Sequence, residues 1–363
     1  MALYEERLAN DLAKIRDQVT QVGSEVDDAL GKSVTAVLEG DGDLATNVVL
    51  NDHAVNRGFE NIDDMCHKFL ALHLPSAGHL RLISSILRMN GEFERIGDHA
   101  VTIAREALQL SESPTNAARA AVVDMAGDTQ TMLRHAIKAF NANDAELARK
   151  TMGMSARVQK AFDAVFRDLA NKGEAKSESV HDLLVLSVIF SKLERVSARA
   201  ENICEETLYA IAGESPPKRK FKILFLDETN SAQSRLAEAV GQKTAAERCT
   251  FDSMGRTAAD DLYPGLAEFM EAHGLSVQER SARALPDDRD DLDDYDVIIS
   301  LDGPVKSYIA DQPFHSVFLT WDAGDLPGGA DQANRVNIYH QMYRELTTRI
   351  RDLDERLRGE RTV

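Results

Sequence analysis

The segment from Phe221 to Ser234 joins a strand-like apolar run to a loop of small polar residues. The run FKILFL is followed by DETNSAQS, and a helical pattern begins near Arg235. A strand that ends in such a loop before a helix directs backbone N–H groups at an anion. The loop nevertheless opens with Asp227 and Glu228 and contains no Lys, Arg or Cys. The sequence therefore predicts an anion-binding loop that carries negative charge of its own.

A second set of acidic residues lies in a helical segment of the amino-terminal half. Glu94 and Asp98 are four positions apart and share one helix face. Two like charges at this spacing cost a helix roughly 0.2–0.5 kcal/mol, and a bound hard or borderline cation would offset that cost. Asp52, in the neighbouring segment, and His99 are further candidate ligands. The alternative is a solvated face that is neutralised by arginines such as Arg95.

Composition restricts the class of partner and the compartment. The chain has 363 residues and a formal net charge of −18, which disfavours nucleic acid and anionic membranes as partners. The N-terminus MALYEERLANDL has no apolar core of a secretory signal, and the apolar stretch 183–190 is too short to cross a bilayer. We therefore expect a cytoplasmic protein without membrane insertion, whose three cysteines are buried and reduced.

Residues 1–212 are predicted to be helical almost throughout. Apolar residues recur at spacings of three and four, and short polar segments divide this part into six long helices. Helices joined by short loops lie antiparallel and form bundles. Segments 93–106 and 193–206 align at an offset of 100, with Glu, Arg, Ala and Ile at matching positions. This internal repeat predicts two tandem three-helix bundles, at 1–110 and 115–212.

The pattern changes after the second bundle. The segment 213–220 holds a glycine, two prolines and a basic run, which indicates a linker. Nearly continuous apolar strands then alternate with helical patterns, which predicts an α/β domain at 221–358 with a four-stranded parallel sheet covered on both faces. The predicted strands are 221–226, 249–254, 296–301 and 316–321, and the predicted helices are 232–247, 261–274, 303–310 and 333–357.

The helical half resembles the PhoU family of phosphate-uptake regulators. The motifs that carry the resemblance are ERIGDHAVTIA, LERVSARAENI and HLRLISSIL, together with the doubled three-helix layout. The resemblance implies a homodimeric regulator that restrains phosphate import. It also implies contacts with a phosphate ABC transporter and with the histidine kinase of the phosphate regulon.

The same resemblance implies a divalent or iron-type metal ion on an acidic E-x-x-x-D helix. The first repeat keeps this pattern at Glu94 and Asp98. In the second repeat Ala198 replaces the acid, Arg199 replaces the histidine, and Ser155 stands where repeat symmetry matches Asp52. An alanine cannot ligate a cation and an arginine repels one, so we expect at most one metal site, on the first repeat.

The carboxyl-terminal half, from 221 to about 351, resembles the low-molecular-weight phosphotyrosine phosphatase and arsenate reductase superfamily. The matching pieces are NSAQS, RLAEAV, SMG, YDVIISL and WDAGDLP. Asn230, Ser231 and Ser234 fit the family's phosphate loop and are the candidate residues for weak anion binding. At the three catalytic positions the sequence departs from the family: Asp227 replaces the cysteine, Gln233 replaces the arginine, and Asp325 is separated from its proline by Leu326.

These departures remove the groups on which the chemistry depends. A thiolate is strongly nucleophilic and a guanidinium grips two phosphate oxygens, whereas a carboxylate and a neutral amide do neither. We therefore predict a regulator that carries a catalytically dead phosphatase-like domain, used as a sensor or docking surface. The alternative is an enzyme: a phosphatase that uses Asp227, or a hydrolase that uses a cation held by Glu94 and Asp98.

Overall fold

The chain forms two compact units, Met1–Pro216 and Pro217–Val363. The computed structural model describes residues 2–114, 116–175, 179–214, 220–275, 281–286, 292, 294–309, 316–324, 326 and 332–358. The first unit is all-helical and the second is α/β, which confirms the predicted fold class. Most of the predicted linker, residues 215–219, lies outside the described residues.

Side-chain caps define where most of the helices in the first unit begin. Asp41, Ser76, Asp144 and Ser179 each precede a helix and accept a hydrogen bond from the backbone N–H three residues later. Gly213, with a φ of 70°, ends the last helix in the left-handed conformation that favours glycine. The helices are α1 (Ala2–Glu39), α2 (Gly42–Leu72), α3 (Ala77–Ala107), α4 (Asn116–Ala142), α5 (Ala145–Met152), α6 (Ser155–Glu174) and α7 (Val180–Ala212).

The prediction of six helices was wrong in the second repeat. Its middle segment is divided into α5 and α6 at Gly153 and Met154, whereas the equivalent α2 is continuous. Glycine disfavours a helix interior by about 1 kcal/mol. The hydroxyl of Ser155 donates to the carbonyl oxygen of Met152 at 2.9 Å, a local bond that competes with continued helix.

The two repeats share one hydrophobic core. Helix α3 packs most extensively against α7, its equivalent in the second repeat. Four pairs of equivalent residues from the two helices are fully buried and belong to the same cluster. The pairs are Phe93 and Leu193, Ile96 and Val196, Ala100 and Ala200, and Ile103 and Ile203. The shared periodicity therefore reflects helices that bury equivalent stripes against each other.

The second unit is a parallel sheet with apolar clusters on both faces. Its strand order is β2-β1-β3-β4, with β1 and β3 in the centre. Along β1, Ile223 and Phe225 face one cluster, which contains residues of α8 and α10, and Leu224 and Leu226 face the other. The elements are β1 (Phe221–Asp227), α8 (Gln233–Ala245), β2 (Cys249–Gly255), α9 (Leu266–Ala272), β3 (Val297–Ser300), β4 (Val317–Thr320) and α10 (Gln332–Leu357).

Two helical segments of the second unit are much shorter than predicted. The expected helix at 303–310 is a single 3-10 turn, Val305–Ser307, which follows Pro304. Helix α9 begins at Leu266 and not near residue 261, because Pro264 and Gly265 precede it and Gly265 has a φ of 83°. Neither change affects the strands that hold the candidate site.

Cys66, Cys204 and Cys249 are buried and form no disulfide, as the sequence predicts. Burial raises the pKa of the first two to about 12 and that of Cys249 to about 11. Among the described residues, no helix combines the length and apolar character needed to span a membrane.

Candidate functional site

The loop after β1 lies where the strand order of the sheet reverses. From β1 the chain moves to β2 on one side, while β3 and β4 continue the sheet on the other. In open α/β sheets, ligands bind at the carboxyl ends of the strands at this point. Asp227 is the last residue of β1 and pairs with Gly255 at the end of β2. The predicted anion loop therefore occupies the expected place for a ligand site.

The carboxylate of Asp227 fills the centre of this loop. Its Oδ1 accepts hydrogen bonds from the backbone N–H groups of Asn230 at 2.5 Å and Thr229 at 3.2 Å. Its Oδ2 accepts the N–H of Ser234 at 2.9 Å. Only 2% of Asp227 is exposed. The loop thus directs its N–H groups at a carboxyl group that the chain itself supplies.

The environment of Asp227 has opposing effects on its charge. Burial raises the pKa of its carboxyl, and the nearby carboxylate of Asp302 raises it further. The hydrogen bonds from Ser234 and Asn230 lower that pKa because they stabilise the ionised form, but burial has the larger effect and the pKa of Asp227 is raised overall. Ala232, which precedes α8, offers no side-chain cap. Asp227 therefore acts as the cap of α8 by accepting the N–H of its second residue.

Asn230 holds the loop to the neighbouring strand. Its φ is 51°, in the left-handed region that few residues other than glycine and asparagine adopt. Its Nδ2 donates to the hydroxyl oxygens of Ser234 at 2.9 Å and Ser253 at 2.8 Å, and its Oδ1 accepts the N–H of Arg283 at 2.8 Å. The Ser253 hydroxyl donates in turn to Glu238. This buried network gives the loop a single defined shape.

Gln233, which the predicted resemblance places where an arginine is expected, forms a hydrogen bond within the fold. Its Nε2 donates to the carbonyl oxygen of Gly324 at 2.6 Å, and its side chain is buried. The hydroxyls of Ser231 and Thr229 lie 2.7 Å apart and bond to each other. Asp325, the third degenerate catalytic position, lies outside the described residues. Gln233 therefore fastens the loop to the segment after β4.

Charged residues at the rim of the loop are paired with each other. Glu228 forms an ion pair with Arg256 at 3.0 Å, and its backbone N–H donates to Asp302 at 3.1 Å. The Arg256 guanidinium lies 4.8 Å from the ring centre of Tyr308, whose hydroxyl donates to Asp302. Arg256 is thus engaged by a carboxylate and an aromatic face at the surface. It does not take the place of an arginine inside the loop.

The candidate metal residues lie on adjacent helices of the first unit. Glu94 and Asp98 are exposed on α3, and Asp52 is half-buried on α2, where Asn56 donates to it at 3.0 Å. Desolvation raises the pKa of Asp98, and the negative charge of Asp52 raises it further. Within the described residues, no three His, Cys, Asp or Glu side chains are grouped so as to hold a metal ion. The three-residue site remains a prediction.

The contact between α3 and α7 shows how the repeats have diverged. Arg199 forms an ion pair with Glu92 at 3.3 Å. By repeat symmetry the equivalent positions are His99 and Lys192, which cannot form such a pair. Burial, with the positive charges of Lys192, Arg199 and Arg195, lowers the pKa of His99 to about 4. His99 therefore faces cationic side chains, an environment that disfavours a metal ligand.

Sequence reasoning missed the residues that support the loop. Ser253 was noted only as part of the SMG motif, and neither Glu238 nor Arg283 was singled out. The feature that distinguishes Ser253 is that it is a polar residue at a fully buried position of β2, the strand beside β1. Glu238 lies in α8, five residues after Gln233. Only the folded helix shows that its side chain accepts a hydrogen bond from Ser253.

Comparison with known proteins separates the two halves of the chain. A family model described as the PhoU domain matches residues 19–107 and 122–207. The PhoU homologue of Pseudomonas putida, a phosphate-specific transport system accessory protein, is 32% identical over 204 residues, which are 56% of this chain and 80% of that protein. The chain belongs to the PhoU family.

Other PhoU proteins match the same half. The Escherichia coli K12 protein, a phosphate-specific transport system accessory protein, is 29% identical over 56% of this chain and 85% of its own length. The crystal structure of PhoU from Pseudomonas aeruginosa matches with a TM-score of 0.55 and 30% identity, over 57% of this chain and 99% of that one. Both results agree with the helical architecture of the first unit.

The second half of this PhoU-family chain matches a different family model. The model described as low molecular weight phosphotyrosine protein phosphatase covers residues 222–362. Both predicted resemblances are thereby confirmed, and the chain joins a PhoU region to a phosphatase-like domain.

Proposed function

We propose that this PhoU-family chain is a cytoplasmic negative regulator of phosphate uptake and phosphate-responsive signalling, with a catalytically inactive phosphatase-like domain. The observation that carries the proposal is the state of the loop, in which Asp227 stands at the nucleophile's position and is buried among hydrogen-bond donors. The names of the relatives as phosphate-specific transport system accessory proteins support the regulatory role. The partners we propose are a second copy of the chain, a phosphate ABC transporter and the phosphate-regulon histidine kinase.

The inactivity follows from the chemistry of the two replaced groups. A carboxylate is a weaker nucleophile than a thiolate, and both oxygens of Asp227 already accept hydrogen bonds. Gln233 carries no charge, and its amide is engaged at Gly324. Asp227 is therefore a poor nucleophile for a phosphorus atom, and Gln233 cannot neutralise a phosphoryl group as it develops charge.

The activity of the second unit is tested with the full chain and p-nitrophenyl phosphate, with and without Mg²⁺ or Mn²⁺. We expect no turnover above that of Asp227→Asn, while a thiol-dependent phosphatase serves as the positive control. Turnover by the wild type that disappears in Asp227→Asn would establish the enzymatic alternative.

The regulatory role is tested in cells that lack the chain. We expect phosphate-starvation promoters to be active in phosphate-rich medium, and to be repressed again when the full chain is restored. Capture of partners from phosphate-rich and phosphate-starved cells then identifies the transporter and the kinase. If promoter activity is unchanged after deletion, the regulatory role is contradicted and a structural scaffold is the better interpretation.

We also propose that the first repeat holds one divalent or iron-type cation. The support is that α2 and α3 pack together, that the charge of Asp52 on α2 raises the pKa of Asp98 on α3, and that Glu94 lies one turn before Asp98. Carboxylate oxygens suit hard and borderline cations. When bound, the cation would neutralise these carboxylates and fix α2 against α3.

Asp98→Ala and Asp52→Ala are each expected to lose the bound cation, because each removes a ligand that the remaining carboxylate cannot replace. Metal content per chain, measured by elemental analysis after gel filtration, checks the prediction. Asp64→Ala removes an exposed carboxylate from α2 away from the pair and should leave the content unchanged. An equal metal content in all three variants would rule the site out.

A further inference from the structure

We propose that the Asp227 carboxylate is a built-in ligand of the second unit, which keeps its oxyanion receptor permanently occupied and closed to phosphate. The phosphate-binding loop has thus been converted from a receptor for an external anion into an internally liganded structure. It follows that the second unit presents a fixed surface to its partners and does not sense phosphate.

The first argument is the direction of the donors. The N–H groups of Thr229, Asn230 and Ser234 come from opposite ends of the loop and converge on the two oxygens of one carboxylate. Such convergence of backbone N–H groups at a helix N-terminus is the arrangement that binds phosphate in other proteins. The receptor is therefore intact, and its occupant is supplied by the chain.

The second argument is burial. Five residues of the loop are buried, although in the phosphatase family this loop admits a substrate. They are Asp227, Asn230, Ser231, Gln233 and Ser234. An external phosphate would need the space that the carboxylate fills and the same three N–H groups. Simultaneous occupancy is excluded on both counts.

The third argument is that the occupant contributes to folding. Without Asp227, the first turn of α8 would lack a cap and three loop N–H groups would lose their acceptor. Each buried donor left without a partner destabilises the folded loop. An external anion would stabilise the loop only when it is bound. Asp227 supplies the same stabilisation at every phosphate concentration.

Three variants of the full chain separate occupancy from charge repulsion. Asp227→Ala empties the receptor, Asp227→Asn leaves it filled by a neutral group, and Asp302→Ala removes an exposed carboxylate from the same sheet edge. Binding of inorganic phosphate and vanadate is measured by calorimetry and by the shift in melting temperature.

We expect Asp227→Ala to bind the anions at least about tenfold more tightly than the wild type, and to gain thermal stability when they are added. The wild type, Asp227→Asn and Asp302→Ala should show no gain. Equal gains in Asp227→Asn or Asp302→Ala would show that charge repulsion, and not occupancy, excludes phosphate. No gain in a folded Asp227→Ala would overturn the inference.

If Asp227→Ala folds only in the presence of phosphate, that result also supports occupancy. If it folds under no condition, the inference is tested on the wild type by NMR. The signals to follow are the amide signals of Thr229, Asn230 and Ser234 in a selectively labelled sample. These signals should be insensitive to millimolar phosphate, and shifts confined to them would refute the inference.

This inference rests on the inactivity proposed above, and the two can fail separately. Turnover of a phosphomonoester by the wild type would refute the inactivity. Failure of Asp227→Ala to bind anions, without turnover by the wild type, would refute only the occupancy.

Discussion

Gly255→Ala is expected to unfold the second unit, with a loss of roughly 3 kcal/mol or more of its free energy of unfolding. A Cβ at this position would lie 2.3 Å from the carbonyl oxygen of Thr257, 2.5 Å from the N of Asn230 and 2.6 Å from the carbonyl carbon of Thr229. All three are backbone atoms, so no side-chain rotation can relieve the overlap. Overpacking of a buried site usually costs about 1–3 kcal/mol and more where the neighbours cannot move.

The only tryptophan of the chain makes this measurement specific to one unit. Trp321 is buried beside Phe225 in the second unit, so its fluorescence during denaturant unfolding reports on that unit alone. Gly91→Ala is the matched control, because a Cβ there meets no atom within 4 Å in α3. It should leave the Trp321 transition unchanged and stabilise the first unit by about 1 kcal/mol. A normal Trp321 transition in Gly255→Ala would show that the loop has more room than the structure gives it.

Asn230→Ala is expected to destabilise the second unit by roughly 3–4 kcal/mol. The change removes three side-chain hydrogen bonds, to Ser234, Ser253 and the N–H of Arg283, and leaves these buried groups without partners. It also places alanine at a φ of 51°, which costs about 1 kcal/mol more than asparagine or glycine there.

Asn230→Gly separates these two contributions. Glycine adopts the left-handed conformation without strain but lacks the amide, so it should lose only the hydrogen bonds. Trp321 fluorescence under denaturant gives both free energies, and we expect the glycine variant to be the more stable by about 1 kcal/mol. Equal stability of Asn230→Ala, Asn230→Gly and the wild type would mean that the network contributes little.

The sequence predicted the elements with strong periodicity. The helical repeat correctly paired Phe93 with Leu193 and Ile103 with Ile203, because a residue buried against an equivalent helix must be apolar in both copies. Strand β1 was predicted to within one residue at its end, since a strand covered on both faces is apolar at nearly every position.

What the sequence could not predict depends on contacts between distant segments. The position of Asp227 in an anion-binding loop was an apparent contradiction until the structure showed its carboxyl group accepting hydrogen bonds from the N–H groups of Asn230 and Ser234. The pairing of Arg199 with Glu92 required the packing of α3 on α7. The break in the helix at Gly153 depends on small local contributions to the free energy. The spacing of apolar residues gives no information about them.

The loss of the loop cysteine also changes how this chain responds to oxidants. Peroxide attacks a thiolate that solvent can reach, and this is how enzymes with a loop thiolate are switched off. Here the equivalent position is a carboxylate, and burial keeps the three remaining cysteines protonated at neutral pH. The regulator proposed above would therefore keep its function under oxidising conditions that inactivate an enzyme dependent on a loop thiolate.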